Sequence, residues 1–338
     1  MSAYTLSKQM GRHSLPGPDI QREANIRAEI SPKVTQEGIP MNYNIPIAFI
    51  IFNRPDTTKI VFKEIAKAQP ASLYLISDAP REGNKDDEAK VAECRSYVES
   101  HIDWPCELHK VYADKNMGCR DRVYTGITEV FAHEQKAVII EDDVVPGPGF
   151  FEFMEEMLNM YEHDPKVMMV SGTNLLRNYK MQEPYCFSCF PSIWGWGTWA
   201  RAWKLYDVDV ADWPQRKKDG SLKGIYGPLT YNYLKLDIER VYTKEKDTWD
   251  IQWDYCRHVN RGLGIVPREN MVRNIGFDRE DATHTKSSTK EDFSYGQMKL
   301  PLNLRLPVRR CREYDRAYLN KYFGLSKITG FIRKKLGK

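Results

Sequence analysis

The sequence predicts an α/β fold in which a mostly parallel central sheet is flanked by helices. Two features predict it: short apolar runs, which suit strands covered on both faces, and intervening segments whose apolar residues recur at helical spacing. Strands that alternate with helices are joined by right-handed crossovers, which makes the sheet mostly parallel. The 338 residues suffice for one large domain of this class, or for one domain with a smaller addition.

Four strand–helix pairs follow one another along the first half of the chain. The predicted strands are IPIAFIIF (45–52), SLYLISD (72–78), CELHKVYADKN (106–116) and KAVIIED (136–142). The predicted helices are TTKIVFKEIAKA (57–68), EAKVAECRSYVESHI (88–102), RDRVYTGITEVFAHE (120–134) and FFEFMEEMLNMYEHD (150–164). In the first helix Ile60, Val61 and Ile65 fall on one face, and the next two helices show the same spacing.

Polar residues follow each strand at its carboxyl end, which is where open α/β sheets bind their ligands. They are, in strand order, Asn53 and Arg54, Ser77 and Asp78, Asn116, and the triplet Glu141, Asp142 and Asp143. We therefore expect them to converge on one edge of the sheet. The first strand is not followed by G-x-G-x-x-G, and G-x-x-x-x-G-K does not occur, so neither a dinucleotide-binding fold nor a P-loop is supported.

The acidic triplet places three like charges side by side. Two such charges about 4 Å apart repel by roughly 1 kcal/mol in water and about 4 kcal/mol near a protein surface. A divalent cation would offset this repulsion, since Mg²⁺ and Mn²⁺ prefer carboxylate oxygens and share them with substrate phosphates. Alternation along the strand puts Glu141 and Asp143 on one face and Asp142 on the other. The alternative is an exposed acidic turn; we favour a cation site because the triplet ends a buried strand and leads into PGPGFF.

The segment EDDVVPGPGFF (141–151) resembles the acidic motif of N-acetylglucosaminyltransferase I and of the bacterial glycosyltransferases similar to it, which have the GT-A fold. The resemblance extends from about residue 45 to residue 284, and the bacterial enzymes are the closer match. It includes FIIFNRPD (49–56), LISDAPR (75–81), NMGCRDRVYTGI (116–127), SIWGWGTWARAWKLYD (192–207), TWDIQWDYC (248–256) and NIGFDREDATHT (274–285).

The resemblance implies roles for the residues at the strand ends. Arg54 would contact the phosphate or ribose of a nucleotide, and Asp78 would accept a hydrogen bond from a uracil ring. Glu141 and Asp142 would hold hydroxyl groups of the ribose or of the donor sugar. Asp143 would ligate a divalent cation, Mn²⁺ or Mg²⁺.

Two further positions depend on the same resemblance. A late His in similar enzymes contacts the metal or the diphosphate, which makes His284 a candidate metal ligand, although a lone His is more often a hydrogen-bonded structural residue. Where the family pattern carries a polar or acidic residue, this chain has Gly149, which we expect at the start of the next helix. That departure affects local structure more than chemistry.

Four tryptophans fall within ten residues of the second half, in SIWGWGTWARAW. Aromatic faces suit the C–H faces of sugars, and the intervening glycines allow a ligand to approach the backbone closely. Trp199 and Trp203, four residues apart, can equally be core residues. Trp194 and Trp196, which glycines flank on a predicted loop, are the candidates for contact with the acceptor.

The segment DTWDIQWDYCRH supplies a candidate general base. Sugar transfer by single displacement needs one carboxylate to take the proton of the acceptor hydroxyl. Asp250 lies between Trp249 and Trp253 and is the preferred candidate, with Asp254 as the reserve. Asp247 is better explained as a helix-capping residue.

Composition bears on location and on domain limits. No apolar run is long enough for a spanning helix, and the N-terminus lacks the apolar core of a signal peptide. The seven cysteines are an odd number and fit reduced thiols, and we expect CFSC (186–189) to lie in a loop. We therefore expect a cytoplasmic protein. We divide it into an N-terminal extension (1–40), a GT-A domain (41–300) with a nucleotide-sugar half (41–145) and an acceptor half (146–300), and a basic C-terminal tail (301–338).

The tail concentrates positive charge. Residues 305–338 contain eleven Lys and Arg against two Asp and Glu. The last residues place apolar side chains at helical spacing among the basic ones, so the tail can lie on the inner face of an anionic membrane or dock on its own domain. The rest of the chain is slightly acidic and lacks a basic groove motif, so no nucleic-acid partner is expected.

The resemblance implies a metal-dependent, inverting glycosyltransferase with a GT-A fold. It would transfer GlcNAc from a UDP-sugar to a glycan or lipid-linked acceptor, as in surface polysaccharide synthesis. One alternative is a sugar nucleotidyltransferase, which shares the sheet and the metal; FNRPDTTK after the first strand contains no glycine, which counts against it. The other alternative is a non-catalytic carbohydrate-binding protein with the same fold.

Overall fold

A computed structural model of the protein describes residues 43–276 and 294–323. In these residues the strands are β1 (Ile47–Ile51), β2 (Ser72–Ser77), β3 (Glu107–Tyr112), β4 (Lys136–Glu141), β5 (Val144–Pro146), β6 (Val167–Ser171), β7 (Tyr185–Ser188), β8 (Trp196–Trp199), β9 (Leu263–Pro267) and β10 (Val272–Asn274). The helices are α1 (Pro55–Ala68), α2 (Lys85–Ser100), α3 (Gly118–His133), α4 (Phe150–Met160), α5 (Ala200–Trp203), α6 (Trp213–Asp219), α7 (Lys223–Tyr226), α8 (Pro228–Tyr242), α9 (Asp250–Val259) and α10 (Arg312–Phe323).

Eight of the described strands form one sheet, in the order β3-β2-β1-β4-β8-β6-β9-β7. The strands β1 to β4 pair in parallel. Because β8 is antiparallel to both β4 and β6, the parallel pair β6 and β9 runs in the same direction as the first four strands. These strands end at one side of the sheet, which we call the carboxyl edge. β5 and β10 form a separate antiparallel pair.

Helices cover both faces of the sheet, and this explains the continuous apolar runs in the sequence. Along β4, Val138 and Ile140 belong to the core cluster that contains side chains of α1, α2 and α4. Ala137 and Ile139 belong to the cluster on the opposite face, which contains side chains of α3 and α9. All four are at most 1% exposed.

The four predicted strand–helix pairs are all present, so the α/β fold with a mostly parallel sheet is confirmed. Two local predictions are wrong. Cys186 of CFSC lies in β7 rather than in a loop, and Trp196 is the first residue of β8. Both strands have four residues, and both are buried on the two faces, so neither shows the alternation that marks a half-buried strand.

Residues 301–323, which we expected to begin a tail, are packed on the domain. Tyr314 and Asp315 of α10 are each 1% exposed. The Ser188 hydroxyl donates a hydrogen bond to Asp315 Oδ1 (2.5 Å), which ties α10 to the end of β7. The amphipathic end of the tail and the N-terminal extension lie outside the described residues. Among the described helices, none combines the length and the apolarity that crossing a membrane requires.

Candidate active site

The acidic triplet lies at the end of β4, where the chain leaves the carboxyl edge. Burial raises the pKa of Glu141 well above its ordinary value, and the negative charges of Asp143, Asp142 and Asp250 raise it further. Burial also raises the pKa of the Cys119 thiol to about 12, again with a contribution from Glu141. Glu141 continues the face of Ala137 and Ile139, which pack in the cluster that contains side chains of α3 and α9.

Asp142 faces the opposite side of the sheet. Burial raises the pKa of the Cys94 thiol of α2 to about 11, and the charge of Asp142 contributes to this shift. Asp142 is itself only 8% exposed. The predicted separation of Glu141 from Asp142 is therefore present, but the predicted grouping of Asp143 with Glu141 is not observed: β4 ends at Glu141, and Asp143 shares Arg54 Nη1 with Asp142.

Arg54 approaches the triplet from the loop between β1 and α1. Its Nη1 lies 3.3 Å from Asp143 Oδ2 and 3.8 Å from Asp142 Oδ1. Arg54 is the N-cap residue of α1, and Pro55, the first residue of the helix, restricts the backbone conformation of Arg54. The residues that the sequence places after β1 and β4 thus meet at the carboxyl edge.

The loop that carries Arg54 is held by a carboxylate that the sequence analysis missed. Asp87, in the first turn of α2, accepts hydrogen bonds from Asn53 Nδ2 (2.7 Å) and from Arg81 Nε (2.5 Å). The hydrogen bond from Arg81, and to a smaller extent the one from Asn53, lowers the pKa of Asp87 to about 2. In the sequence Asp87 is one of several acidic residues at a helix start, so nothing there distinguishes it from a solvent-exposed residue.

Asp78 binds the start of α3. Its carboxylate accepts hydrogen bonds from the backbone N–H groups of Ala79 (2.9 Å), Met117 (3.0 Å) and Gly118 (3.0 Å). Burial raises its pKa, and these three N–H bonds oppose that shift. The structure thus shows Asp78 at the carboxyl edge as predicted, with both oxygens engaged by backbone; contact with a uracil ring stays a prediction.

Asp247 binds the same helix end from the second half of the chain. Its Oδ1 accepts a hydrogen bond from Arg120 N (3.0 Å). A Cβ on Gly118 would lie 2.9 Å from Asp247 Oδ2, so glycine is required for this approach. The helix-capping role expected for Asp247 is therefore observed, but at α3 instead of at its own helix.

Trp194 and Trp196 differ in position. Trp196 pairs with Ile139 of β4, is 0% exposed, and stacks on Trp249 with ring centroids 5.6 Å apart. It is a core residue, and its predicted place on an accessible loop is wrong because β8 is buried on both faces. Trp194 precedes β8 by two residues; it is half-buried and packs against the core cluster that contains side chains of α1, α2 and α4.

Asp250 is the first residue of α9 and is half-buried. The Thr248 hydroxyl donates a hydrogen bond to Asp250 Oδ1, and Gln252 Nε2 donates one to Thr248 O (2.5 Å). Thr248 and Gln252 are buried, so this chain of bonds fixes one carboxylate oxygen of Asp250. The two tryptophans that flank Asp250, Trp249 and Trp253, are both buried and contact Trp196; the role of Asp250 as general base stays a prediction.

Asp254, the reserve candidate, is engaged in an ion pair. Arg257 Nη2 donates a hydrogen bond to Asp254 Oδ1. Burial raises the pKa of Asp254, and Arg257 opposes the shift. Asp254 also lines a small cavity of about 80 Å³ together with Tyr226 and Tyr318. This arrangement favours Asp250 over Asp254 as the general base.

The carboxylates suit a cation whose remaining ligands are substrate oxygens. Among the described residues, no group of three or more His, Cys, Asp and Glu side chains is arranged to hold a metal ion. A Mg²⁺ site commonly has one or two carboxylates and takes its remaining ligands from water and substrate phosphates. Asp142 and Asp143 both lie within 3.8 Å of Arg54 Nη1, which marks a position that they share around one positive charge.

Asp143 also lies beside the segment that leads to His284. Ile275 N donates a hydrogen bond to Asp143 O (2.8 Å), and a Cβ on Gly276 would lie 2.2 Å from Asp143 Oδ2. His284, the predicted second metal ligand, lies outside the described residues. Gly149 occupies the predicted place at the start of α4 with φ of 78°, a conformation that favours glycine.

No protein-family model matches the chain, and no curated protein matches it. Similar solved structures include the mannosyltransferase PcManGT of Pyrobaculum calidifontis with GDP-Man and Mn²⁺, at 12% identity and a TM-score of 0.30 over 53% of this chain and 51% of that one. Glucosyl-3-phosphoglycerate synthase of Mycobacterium tuberculosis, with Mn²⁺, UDP and phosphoglyceric acid, has 12% identity and a TM-score of 0.26 over 57% and 63%. Apo UDP-glucose pyrophosphorylase has 8% identity and a TM-score of 0.34 over 68% and 91%.

These neighbours are of the nucleotide-diphospho-sugar transferase type. The chain spans 51% of the mannosyltransferase and 63% of the synthase.

Proposed function

We propose that the protein is a metal-dependent, inverting glycosyltransferase that transfers a sugar from a UDP-sugar to a glycan or lipid-linked acceptor. One observation carries the proposal. Glu141, from the nucleotide-sugar half, continues the face of β4 whose residues Ala137 and Ile139 pack with Trp249 and Trp253, the tryptophans that flank Asp250 in the acceptor half. A candidate base and a candidate donor site thus face each other at the carboxyl edge.

Each residue has a role in this proposal. Arg54 binds the diphosphate, Asp78 holds the start of α3 beside the uracil position, and Glu141 and Asp142 bind hydroxyl groups of the ribose or the donor sugar. Asp143, joined by His284, would hold Mn²⁺ or Mg²⁺. When bound, the cation would offset the negative charge of the departing diphosphate. Trp194 offers an aromatic face to the acceptor.

The reaction would be a single displacement. Asp250 takes the proton of the acceptor hydroxyl while its oxygen forms a bond to the anomeric carbon, and the bond from that carbon to the diphosphate oxygen breaks. The electron pair of the broken bond leaves with UDP. Because attack and departure occur on opposite faces of the sugar, the configuration at the anomeric carbon inverts.

The finer assignments depend on the resemblance of EDDVVPGPGFF to the bacterial relatives of N-acetylglucosaminyltransferase I. They are GlcNAc as the donor sugar, surface polysaccharide as the product, and the division into halves at residues 41–145 and 146–300. Contact of the basic C-terminal stretch with the inner face of a membrane stays a prediction of the same kind.

Calorimetric titration with a panel of nucleotide sugars, each with and without Mn²⁺, tests the proposal. We expect UDP-sugars to bind only when Mn²⁺ is present, and UDP-GlcNAc to bind most tightly. Tight binding of a nucleoside triphosphate together with a sugar 1-phosphate would instead indicate a nucleotidyltransferase. Binding of free glycans without any binding of nucleotides would indicate a carbohydrate-binding protein.

A further inference from the structure

Gly276 lies directly beside the carboxylate of Asp143, the proposed ligand of the cation. A Cβ on Gly276 would lie 2.9 Å from Asp143 Cγ and 3.1 Å from Asp143 Cβ, and closer still to Asp143 Oδ2. Cβ atoms in proteins essentially never come within 3.0 Å of another heavy atom in this way. A side chain at position 276 would therefore displace the carboxylate.

The backbone conformation of Gly276 does not call for glycine. Gly149 and Gly195 have positive φ angles of 78° and 59°, a range that favours glycine, whereas the φ of Gly276 is not positive. The space beside Asp143 is thus what excludes a side chain at position 276. Alanine at this position would test that space without adding the strain of a positive φ.

Hydrogen bonds hold the backbone of Gly276 in place. The strand β10 pairs with β5, with Asn274 opposite Val144, and the N–H of Ile275 donates to Asp143 O (2.8 Å) beyond the end of that pairing. Gly276 itself is buried, and its N–H donates to Asn274 Oδ1 (2.8 Å). Because a side chain turns more easily than a bonded backbone segment, crowding at position 276 would move the carboxylate first.

Arg54 restricts the same carboxylate from another direction. Asp143 Oδ2, the atom nearest to the position of a Cβ on Gly276, is also the oxygen that lies 3.3 Å from Arg54 Nη1. The side chains of Arg54 and Asp143 are only 17% and 18% exposed, so the carboxylate has little solvent to turn into. A carboxylate that is already held in one orientation loses less conformational freedom when it binds a cation.

We propose that Gly276 is a positioning residue of the cation site, and that its lack of a side chain keeps the Asp143 carboxylate in the orientation that binds the cation. This inference depends on the proposed function, because it takes Asp143 as the metal ligand. It adds a residue without a side chain to those that determine cation affinity. Residues that orient a metal ligand typically contribute about tenfold to a hundredfold to affinity.

The test is titration of the full chain with Mn²⁺ in the presence of UDP, with free Mn²⁺ measured by electron paramagnetic resonance. Gly276→Ala should weaken Mn²⁺ binding by about tenfold to a hundredfold. Wild-type affinity in a folded Gly276→Ala variant would overturn the proposal.

Two other glycines provide matched controls. Gly224 lies in α7, and no heavy atom of the described residues lies within 4 Å of a Cβ built there. Gly264 lies near the amino end of β9, where a Cβ would collide with the ring of Pro191. Both alanine variants should bind Mn²⁺ as wild type does, although Gly264→Ala should be less stable. A loss of affinity in Gly264→Ala equal to that in Gly276→Ala would overturn the proposal.

Asn274→Ala is the second variant if Gly276→Ala does not fold. It removes the acceptor of the Gly276 N–H and so releases the backbone beside Asp143, and Mn²⁺ affinity should again fall. Asn274→Ser should restore part of the affinity, since a serine hydroxyl can accept the same N–H more weakly. Wild-type affinity in Asn274→Ala would overturn the proposal.

Urea unfolding tests the contact between Gly276 and Asp143 without any ligand. If the Asp143 carboxylate is what crowds position 276, Gly276→Ala should lower the urea midpoint in the wild-type background and much less in the Asp143→Ala background. An equal fall in both backgrounds would place the crowding elsewhere and overturn the proposal.

The wild-type protein separates this inference from the proposed function. If wild type binds neither Mn²⁺ nor UDP, the proposed function is overturned, while urea unfolding still decides whether Gly276 positions Asp143. If wild type binds both and Gly276→Ala binds them equally well, only this inference is overturned.

Discussion

Arg54 and Asp143 form an ion pair at the carboxyl edge, with Arg54 Nη1 3.3 Å from Asp143 Oδ2. The same nitrogen lies 3.8 Å from Asp142 Oδ1. The Arg54 guanidinium therefore neutralises the carboxylates that the proposed cation would also neutralise. When a diphosphate is bound, Arg54 has a second anionic partner, and the carboxylates can turn to the cation.

This relationship predicts opposite effects of Arg54→Gln on two ligands. Without the competing guanidinium, the carboxylates should bind Mn²⁺ alone more tightly. UDP-sugar in the presence of Mn²⁺ should bind more weakly, by about tenfold or more, because a charge-assisted bond to phosphate is lost. Calorimetric titration of each ligand measures both changes.

Lys59→Gln is the matched control, since it removes a positive charge from α1, the helix that Arg54 precedes, and breaks a surface ion pair with Glu93 of α2. It should change neither affinity. A fall in the affinity for Mn²⁺ alone in Arg54→Gln would show that Arg54 supports the cation site instead of competing for it.

Asp78 gives a second prediction, because its carboxylate accepts backbone N–H groups. Asp78→Asn would turn an amide group toward N–H donors and leave at least one of them without an acceptor. We expect a loss of about 3 kcal/mol in the free energy of unfolding, since hydrogen bonds to charged groups contribute about 1.5–3 kcal/mol each. Urea unfolding measures this.

A different result would follow if Asp78 mainly contacted the nucleotide. Asp78→Asn would then leave the unfolding free energy near the wild-type value and change the preference between uracil and other bases. Asn116→Ala serves as a comparison. The Asn116 side chain donates a hydrogen bond to Ala79 O in the same loop, but it has no carboxylate that could accept the N–H groups of α3.

Thr248 gives a third prediction. Thr248→Val preserves shape but removes the hydroxyl that donates to Asp250, so kcat should fall about tenfold or more with KM for the donor unchanged. Thr248→Ser keeps the hydroxyl and should restore kcat, and steady-state kinetics would show it.

Asp250→Asn provides the reference for that series. A general base contributes about 10² to 10⁴ to the rate, so kcat should fall at least about a hundredfold while UDP-sugar binding is kept. Normal turnover in Asp250→Asn would remove Asp250 as the base. A kcat that stayed lowered in Thr248→Ser would mean that the Thr248 hydroxyl is not what positions Asp250.

The sequence was sufficient for the first half of the fold because each strand there is followed by a helix with a clear periodicity. It also located Arg54, Asp78 and the acidic triplet, since the direction of parallel strands brings their ends together. Positions set by contacts across the chain were not predictable. Asp247 caps a helix more than a hundred residues away, and no local pattern indicates its partner.

Burial was the second unpredictable property. Trp194 and Trp196 are two residues apart with glycines around them, and the sequence treats them alike. The pairing of β8 between β4 and β6 separates them, because it buries Trp196 fully and leaves Trp194, which precedes the strand, only half-buried against the core.

The two tryptophans therefore predict different outcomes on substitution. Trp196→Ala removes a fully buried ring that stacks on Trp249 and should cost about 3–5 kcal/mol in unfolding free energy. Trp194→Ala should cost less stability and raise KM for the acceptor with little change in kcat. Thermal unfolding and acceptor kinetics test the pair, and equal stability loss in both variants would contradict the placement.

Asp87 predicts how stability depends on pH. The bonds from Arg81 and Asn53 lower its pKa to about 2 in the folded protein, against about 3.9 in an unfolded chain. The unfolded state therefore binds more protons between these values, so the stabilisation is present above pH 4 and is lost as the pH falls toward 2. Asp87→Asn should be less stable than wild type at pH 6, and the difference should shrink as the solution is acidified.

Urea unfolding of wild type and of Asp87→Asn at a series of pH values gives the difference in their free energies of unfolding directly. The titration of the other carboxylates, which both proteins have, cancels in this difference. Asp86→Asn is the control, because Asp86 lies in the same helical turn and pairs with the exposed Lys90 instead of with Arg81 or Asn53. A difference between wild type and Asp87→Asn that stayed constant from pH 6 to 3 would show that the carboxylate does not titrate as its contacts require. Since Asp87 holds the loop that carries Arg54, affinity for UDP-sugar should fall along with stability in Asp87→Asn and remain at the wild-type value in Asp86→Asn.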